Sequence, residues 1–363
     1  MRVRLLTLVS SSAATVLAGL TIATAVGRSG PFPDLDVYRV SARAIGLGKG
    51  VYDVRGANGG PFTYPPFAAF VLWPFTLLPL VATGVVLATA SCGAAVTIAR
   101  LCLRDRPWRL VGALCACAFE TVPFRTTIYF GQIGALLMVA VAVDLLAVRR
   151  RWPSGLLIGL AAAVKLTPLM FVPYLFVTGR RREACTAVLT FVGATVAAAL
   201  ALPAASWRYW TSALWESKRV GAIASIHNRS VWGAMSSVGP RSLGALVALI
   251  VAVVGLWLLR DASAVVALAG VGLLSCLVSP IAWSHHVVWV LPALAGLAVA
   301  RWPAYVRVVA IAAVTLAFAR WSSDQHLLAL VECAVACALV PVLGSQRRVH
   351  EISASQAGSL LPR

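Results

Sequence analysis

The stretch LVATGVVLATASCGAAVTIARLCL, residues 80–103, carries one charged side chain, that of Arg100. A helix of roughly 20 apolar residues crosses the hydrocarbon core of a bilayer, which is about 30 Å thick, so this stretch predicts a transmembrane helix. Similar apolar runs recur from Leu5 to Arg348 without a long polar segment between them. The sequence therefore predicts an all-α polytopic membrane protein, with the lipid bilayer as its first partner.

Composition and charge agree with this class. Hydrophobic residues make up 60% of the chain and charged residues 12%, which lies outside the range of soluble domains. The net charge of +19 comes from arginines that cluster at the ends of apolar runs, where the positive-inside rule predicts cytoplasmic anchors. The arginines do not follow one amphipathic face, so no nucleic acid partner is expected.

The charge pattern predicts a topology with both termini on the cytoplasmic side of the plasma membrane. About 12 membrane segments are expected when half-helices are counted separately. The predicted spans, besides a segment within 67–103 that follows a short surface helix, are 5–26, 108–122, 131–148, 184–205, 242–259, 262–280, 285–300, 303–319 and 326–343. Residues 120–130, between two of these spans, are expected on the external side.

The apolar run 153–178 does not fit a single straight span. Arginine triplets border it at both ends, Arg149–Arg151 and Arg180–Arg182, and both should be cytoplasmic. Pro168 interrupts the run, so two half-helices that enter and leave on one side are favoured over one span that violates the charge rule.

These segments predict a single transmembrane domain over residues 1–345 and a disordered cytoplasmic tail over 346–363. Its larger external segments are 27–66, 206–240 and 279–286. Polar residues collect there, and among them the carboxylates of Asp34 and Asp36 could serve as a base. The cytoplasmic loops hold no glycine-rich nucleotide cradle, so direct use of ATP or a sugar nucleotide is not expected, and no cofactor or metal site is predicted.

Several short motifs follow one another between residues 34 and 290. They are Asp34-Leu35-x-Val37-Tyr38, Val51-Tyr52-Asp53, Phe62-Thr63-Tyr64-Pro65-Pro66-Phe67, Gly131-Gln132, Lys165-Leu166-Thr167-Pro168, Asn228-Arg229-Ser230, and Ser279-Pro280 with Trp283-Ser284-His285-His286. In this order they resemble glycosyltransferase family 87 of the GT-C superfamily, which includes polyprenyl-phosphomannose-dependent alpha-mannosyltransferases.

The resemblance implies a GT-C-type helix bundle and an extracytoplasmic active site. It implies that a hexose, most simply mannose, moves from a polyprenyl-phosphate donor to a glycolipid or glycan acceptor with inversion. Asp34 occupies the acidic position of the family motif and is the expected general base. Asp36 is the substitute candidate, although either carboxylate could merely cap a helix that begins near Val37.

Other polar residues of these motifs are candidates for binding the donor phosphate or the substrate. His285 and His286 could hold the phosphate or anchor the chain at the interface. The remaining candidates are Arg229, Arg125, Gln132, Asn228, Tyr64 and Lys165. A lysine within an apolar run needs a partner or a task, and both a lipid phosphate and an ion pair with Asp144 are possible.

Three alternatives to a mannosyltransferase stay open. The donor could carry a pentose such as arabinose. The chain could be a transporter or flippase for a lipid-linked sugar, although the sequence lacks the paired helix breaks typical of repeated halves. It could also be a noncatalytic assembly subunit.

Overall fold

The computed structural model describes residues 2–27, 30–147, 151–236, 239–319 and 325–344; the predicted tail, 346–363, lies outside them. Over these residues the chain is helical, and its only extended pairing is two isolated bridges, so the all-α prediction is confirmed. The α-helices are α1 (Arg2–Val26), α2 (Pro33–Gly46), α3 (Pro66–Leu72), α4 (Leu80–Cys102), α5 (Trp108–Glu120), α6 (Val122–Phe130), α7 (Gly134–Leu146), α8 (Leu156–Val164), α9 (Phe171–Val177), α10 (Arg181–Ala201), α11 (Pro203–Arg208), α12 (Ser217–Val220), α13 (Val231–Met235), α14 (Arg241–Leu259), α15 (Ala264–Leu277), α16 (Val290–Val299), α17 (Ala304–Ala317) and α18 (Gln325–Gly344).

Three described helices are long and apolar enough to cross a membrane: α4, α10 and α14. A fourth crossing is possible if α6 and α7, bent by 116° at a short break, form one span. The predicted count of about twelve segments is therefore not confirmed. Many predicted spans correspond to shorter helices; α5, for example, has 13 residues, about 20 Å at 1.5 Å per residue.

The core lies around α15 and α16. Every side chain from Val266 to Leu277 and from Val290 to Ala298 is buried, as expected for helices that are apolar on all sides. In contrast, α10 and α14 expose large apolar residues, including Leu200 (81%) and Leu249 (62%). These exposed faces are suited to lipid contact, which agrees with a membrane protein.

The predicted half-helix pair is interrupted, as expected, near Pro168. Helix α8 ends at Val164, Lys165 is extended (φ −148°, ψ 127°), and a short 3-10 helix at Thr167–Met170 leads into α9. A Cβ on Gly155 would lie 2.1 Å from the carbonyl oxygen of Glu183 in α10. Helix α8 therefore starts beside the first turn of α10. Helix α9 returns to the same end, because it ends just before α10 begins. Placement of that end on the cytoplasmic side stays a prediction.

Residues 120–130, expected on the external side, are mostly helix α6, and their side of the membrane stays a prediction. Pro123 occupies the first turn of α6, where a missing amide hydrogen costs nothing. Gly131 ends the helix in the left-handed conformation (φ 69°). A Cβ at Gly131 would lie 2.7 Å from Cβ of Leu35, so the glycine lets the start of α2 pack against this corner. This packing brings the first turn of α2 next to Gln132.

Candidate functional site

A cavity of about 760 Å³ lies where the first turn of α2 meets the α6–α7 corner and the α8–α9 break. Residues from segments far apart in sequence line it, including the 60–65 segment, the 209–223 segment and the 279–286 segment. The predicted site residues in its lining are Asp34, Tyr64, Gln132, Lys165, His285 and His286.

Asp34 is held in this cavity by a side-chain hydrogen bond. Helix α2 begins at Pro33, and Asp34 lies in its first turn without capping it through the side chain. Gln132 Nε2 donates to Asp34 Oδ2 at 2.5 Å. Burial raises the pKa of Asp34 above its ordinary value, while the bond from Gln132 and the charge of Lys165 act in the opposite direction. The carboxyl is thus a stronger base than an exposed aspartate.

A chain of hydrogen bonds runs from Lys165 to the Tyr64 hydroxyl, then to the Gln132 amide and on to Asp34. Tyr64 donates its hydroxyl proton to Gln132 Oε1 at 3.0 Å, and the Tyr38 hydroxyl lies 2.8 Å from the Tyr64 hydroxyl. Lys165 Nζ donates to the Tyr64 hydroxyl oxygen at 3.3 Å. Both ends of the Gln132 amide are therefore engaged, which fixes the side chain that holds Asp34.

Lys165 lies at the break between α8 and α9, facing this cavity. Its Nζ lies 5.1 Å from the centre of the Tyr64 ring, a cation–π distance. Asp144 is at the other end of α8, where its carboxylate accepts from the backbone amides of Gly155 and Ile158. The expected alternative, an ion pair of Lys165 with Asp144, is therefore wrong, and the ammonium group faces the cavity.

The two histidines lie in a 3-10 helix, Ser284–Trp289, and both line the cavity. His285 is buried, with its ring 5.4 Å from that of Phe130. His286 Nδ1 accepts from the backbone amide of Trp283 at 3.2 Å. A neutral imidazole whose Nδ1 accepts carries its proton on Nε2, so His286 has a donor available for a ligand.

Asp36 has a different environment from Asp34. Its Oδ2 accepts from the backbone amide of Ala57 at 2.7 Å, in the turn that follows Arg55. Asp36 does not line the cavity. The side chain therefore stabilises the loop packed against α2, and the substitute role as base is not supported by its position.

Arg229 and Arg125 are not part of the cavity lining, in contrast to the expectation that they bind phosphate. Arg229 Nε donates to Glu332 Oε2 at 2.9 Å, and both side chains are almost completely buried. Arg125 is half exposed and lies 3.9 Å from Glu120. Arg229 is thus paired with Glu332 of α18. Arg125 is exposed to solvent and lies near the Glu120 carboxylate.

Asn228 does not line the cavity, and its side chain forms hydrogen bonds that hold two loops together. Its amide group donates to the carbonyl oxygens of Ile223 and Pro280, both at 2.9 Å. Its carbonyl oxygen accepts from the amides of Ser230 and Ala282. These four bonds join the loop before α13 to the segment that carries the histidines.

Replacing Arg229 by methionine is expected to lower the free energy of unfolding by about 3–5 kcal/mol, because the Glu332 carboxylate would remain buried without its partner. The double variant Arg229→Met, Glu332→Leu should recover most of this loss. Thermal unfolding of the purified variants measures both effects. Unchanged stability together with weaker donor binding would instead indicate a phosphate contact.

Two polar lining residues, Tyr38 and Arg219, were not among the predicted site residues, although Tyr38 belongs to a quoted motif. Tyr38 is one helical turn after Asp34 in α2, a spacing that places both on one face, and this signal was available. Arg219, in α12, donates to the carbonyl oxygens of Tyr52 and Phe62 beside the cavity. Nothing in the sequence distinguishes Arg219 from an ordinary surface arginine.

Comparison with known proteins places the chain in a family. Residues 62–280 match glycosyltransferase family 87. The chain is 33% identical over 307 residues to the polyprenol-phosphate-mannose-dependent alpha-(1-2)-phosphatidylinositol mannoside mannosyltransferase of Mycobacterium tuberculosis, covering 74% of this chain and 70% of that protein. It is 34% identical over 300 residues to the corresponding pentamannoside mannosyltransferase of Mycolicibacterium smegmatis, covering 77% and 72%.

Among solved structures, ArnT from Cupriavidus metallidurans bound to undecaprenyl phosphate aligns over 98% of this chain and 80% of its own, with 15% identity and a TM-score of 0.44. The family assignment rests on the sequence matches. The family match includes Tyr64, Gln132 and Lys165 of the cavity lining, whereas Asp34, His285 and His286 lie outside residues 62–280. The chain belongs to glycosyltransferase family 87 and is a membrane glycosyltransferase.

Proposed function

We propose that this enzyme transfers mannose from a polyprenyl-phosphate donor to a hydroxyl group of a glycolipid or glycan, with Asp34 as general base. One observation carries the proposal: the Asp34 carboxyl and the Lys165 ammonium group line the same cavity and are joined through Gln132 and Tyr64. A base and a cation for phosphate are the two groups that this transfer needs.

The relatives support the choice of sugar and acceptor. Their names specify polyprenol-phosphate-mannose dependence and phosphatidylinositol mannoside substrates. We extend both to this chain: polyprenyl-phosphomannose as donor and a phosphatidylinositol mannoside as the first acceptor to test. The tyrosines and tryptophans of the lining offer apolar faces for a sugar ring or an isoprenoid chain.

The transfer is a single displacement. The acceptor oxygen bonds to the anomeric carbon of mannose while the bond from that carbon to the phosphate oxygen breaks. The acceptor proton passes to Asp34, and the electron pair of the broken bond stays on polyprenyl phosphate, where the Lys165 ammonium group offsets its charge and the imidazoles of His285 and His286 donate hydrogen bonds. A single displacement inverts the anomeric configuration.

The lining composition supports this scheme. Asp34 is the only aspartate or glutamate among the described residues that line the cavity. A phosphate leaving group departs without protonation, so no second carboxyl group is needed, unlike in glycoside hydrolysis. The arrangement therefore suits transfer from a sugar phosphate better than cleavage of a glycosidic bond.

We place the cavity on the extracytoplasmic side. The segments that line it include parts of the predicted external segments 27–66, 206–240 and 279–286, whereas the arginine clusters lie elsewhere in the chain. This orientation puts both termini in the cytoplasm.

Replacing Gln132 by alanine is expected to move the acid limb of the pH profile of kcat/KM to higher pH. The Gln132 bond lowers the pKa of Asp34, so its loss raises that pKa, and the base must be ionised to accept a proton. The pH dependence of transfer by the purified variant measures the shift. A lower rate with an unshifted limb would mean that Gln132 contacts the sugar instead of tuning the base.

The donor assignment is tested with the purified full-length protein in liposomes. Radiolabelled polyprenyl-phosphomannose, polyprenyl-phosphoarabinose and GDP-mannose are each supplied with phosphatidylinositol mannosides. We expect labelled glycolipid from the polyprenyl-phosphomannose alone. Transfer only from the arabinose donor would overturn the choice of sugar, and transfer from none of the polyprenyl donors would overturn the proposed reaction.

A further inference from the structure

A second cavity, of about 520 Å³, lies between α1, α5 and α17 and shares no lining residue with the first. Three arginines line it, and none of its lining residues in the described part of the chain is acidic.

The arginines lie toward one end of the cavity, and the other end, next to Ser10, is otherwise apolar. Arg106, Arg109 and Arg307 lie in or near the first turns of α5 and α17. The apolar residues Ala113 and Ile311 lie about one turn further along the same two helices. A ligand that fits this gradient has an anionic head and a hydrocarbon tail.

Two helix N-termini add to the positive charge of the arginines. Helix α5 begins at Trp108 and α17 at Ala304, so the free amide groups and positive dipole ends of both helices lie at the polar end. Arg307 is oriented by a bond from Nη1 to the carbonyl oxygen of Ala298, at 3.2 Å. The loop before α5 is fixed as well, because Arg100 Nη1 donates to the Leu103 carbonyl oxygen at 2.8 Å.

Two tryptophans, Trp108 and Trp302, lie near the arginines at the starts of α5 and α17. Trp108 is 53% exposed beside Arg109, and Trp302 is half buried just before α17. Tryptophans are enriched at the boundary between headgroups and hydrocarbon. Tyr305 and Val308 are exposed on the outer side of α17, so the groove is adjacent to a surface suited to acyl chains.

We propose that this groove binds an anionic glycerophospholipid of the bilayer, with its phosphodiester among Arg106, Arg109 and Arg307 and an acyl chain along Ala113 and Ile311. Basic pockets between membrane helices are suited to such headgroups. The site is separate from the catalytic cavity: from the start of α5 the chain runs about 20 Å to Glu120 before α6 leads to Gln132. The predicted topology puts the groove at the cytoplasmic leaflet.

Native mass spectrometry of the detergent-solubilised full-length protein tests this site, with dioleoylphosphatidylglycerol as the probe and dioleoylphosphatidylcholine as its zwitterionic control. We expect one phosphatidylglycerol to be retained at least about tenfold more tightly than phosphatidylcholine. The double variant Arg109→Gln, Arg307→Gln should lose this preference. The matched variant Arg181→Gln, Arg182→Gln, which removes two exposed arginines from α10, should keep it.

A second variant separates the groove from general attraction between charges. Ala113→Phe fills the apolar end while all three arginines remain, and it should also lose the tightly bound lipid. Thermal unfolding checks that each variant is folded. Equal loss in the α10 variant, equal retention of both lipids, or the same stabilisation by inorganic phosphate as by phosphatidylglycerol would overturn the proposal.

Discussion

Replacing Asp34 by asparagine is expected to reduce kcat for mannose transfer by about 10²–10⁴-fold, the range that a general base contributes. The asparagine has the same size and can still accept the bond from Gln132, so the cavity should keep its shape. Because Asp34 acts on the acceptor, the KM for the donor should change little. Initial rates with purified protein and polyprenyl-phosphomannose measure both constants.

Asp36→Asn is the matched control for this prediction. Asp36 is two residues away in the same helical turn but binds the Ala57 amide outside the cavity. We expect near-normal rates and at most a small loss of stability from the weaker loop contact. Loss of activity in Asp36→Asn, with full activity in Asp34→Asn, would reverse the assignment of the base.

Replacing Lys165 by methionine is expected to reduce kcat by about 10²–10³-fold, the effect typical of removing one group that stabilises developing charge. Methionine is an unbranched side chain of similar length without the ammonium charge. Since the Lys165 charge lowers the pKa of Asp34, the acid limb should also move to higher pH. Rates measured across pH on the purified variant record both changes.

Arg125→Gln is the control for the loss of one positive charge. Arg125 is half exposed at the surface and does not line the cavity, so its loss should leave the rate and the pH profile unchanged. Lys165→Arg, which keeps the charge, should retain more activity than Lys165→Met. Full activity in Lys165→Met would show that the donor phosphate binds elsewhere.

The sequence was sufficient to predict the class of fold and the chain elements that carry the site. Apolar runs and proline positions predicted helices and the interruption near Pro168. They did not predict the lengths of the helices or the α6–α7 bend, because hydropathy reports burial in an apolar environment and does not distinguish a straight span from a broken one. Gly131, which ends α6, was part of a motif, but its left-handed conformation is visible only in the structure.

Pairings between distant residues were the least predictable part of the site. The residues of the Gln132–Asp34 bond are 98 positions apart and those of the Arg229–Glu332 pair 103 apart. A single sequence shows that each residue is polar in an apolar chain, which predicts that it has a partner, but not which one. Arg229 therefore looked like a phosphate ligand although Glu332 engages it.

The most direct test of the account is a structure of the full-length protein with polyprenyl phosphate bound. We expect a phosphate oxygen within about 3 Å of Lys165 Nζ, a normal hydrogen-bond distance, and the Asp34 carboxylate facing the same cavity across the space of one hexose. A phosphate bound outside this cavity, with Lys165 still directed only at Tyr64, would contradict the assignment of both residues.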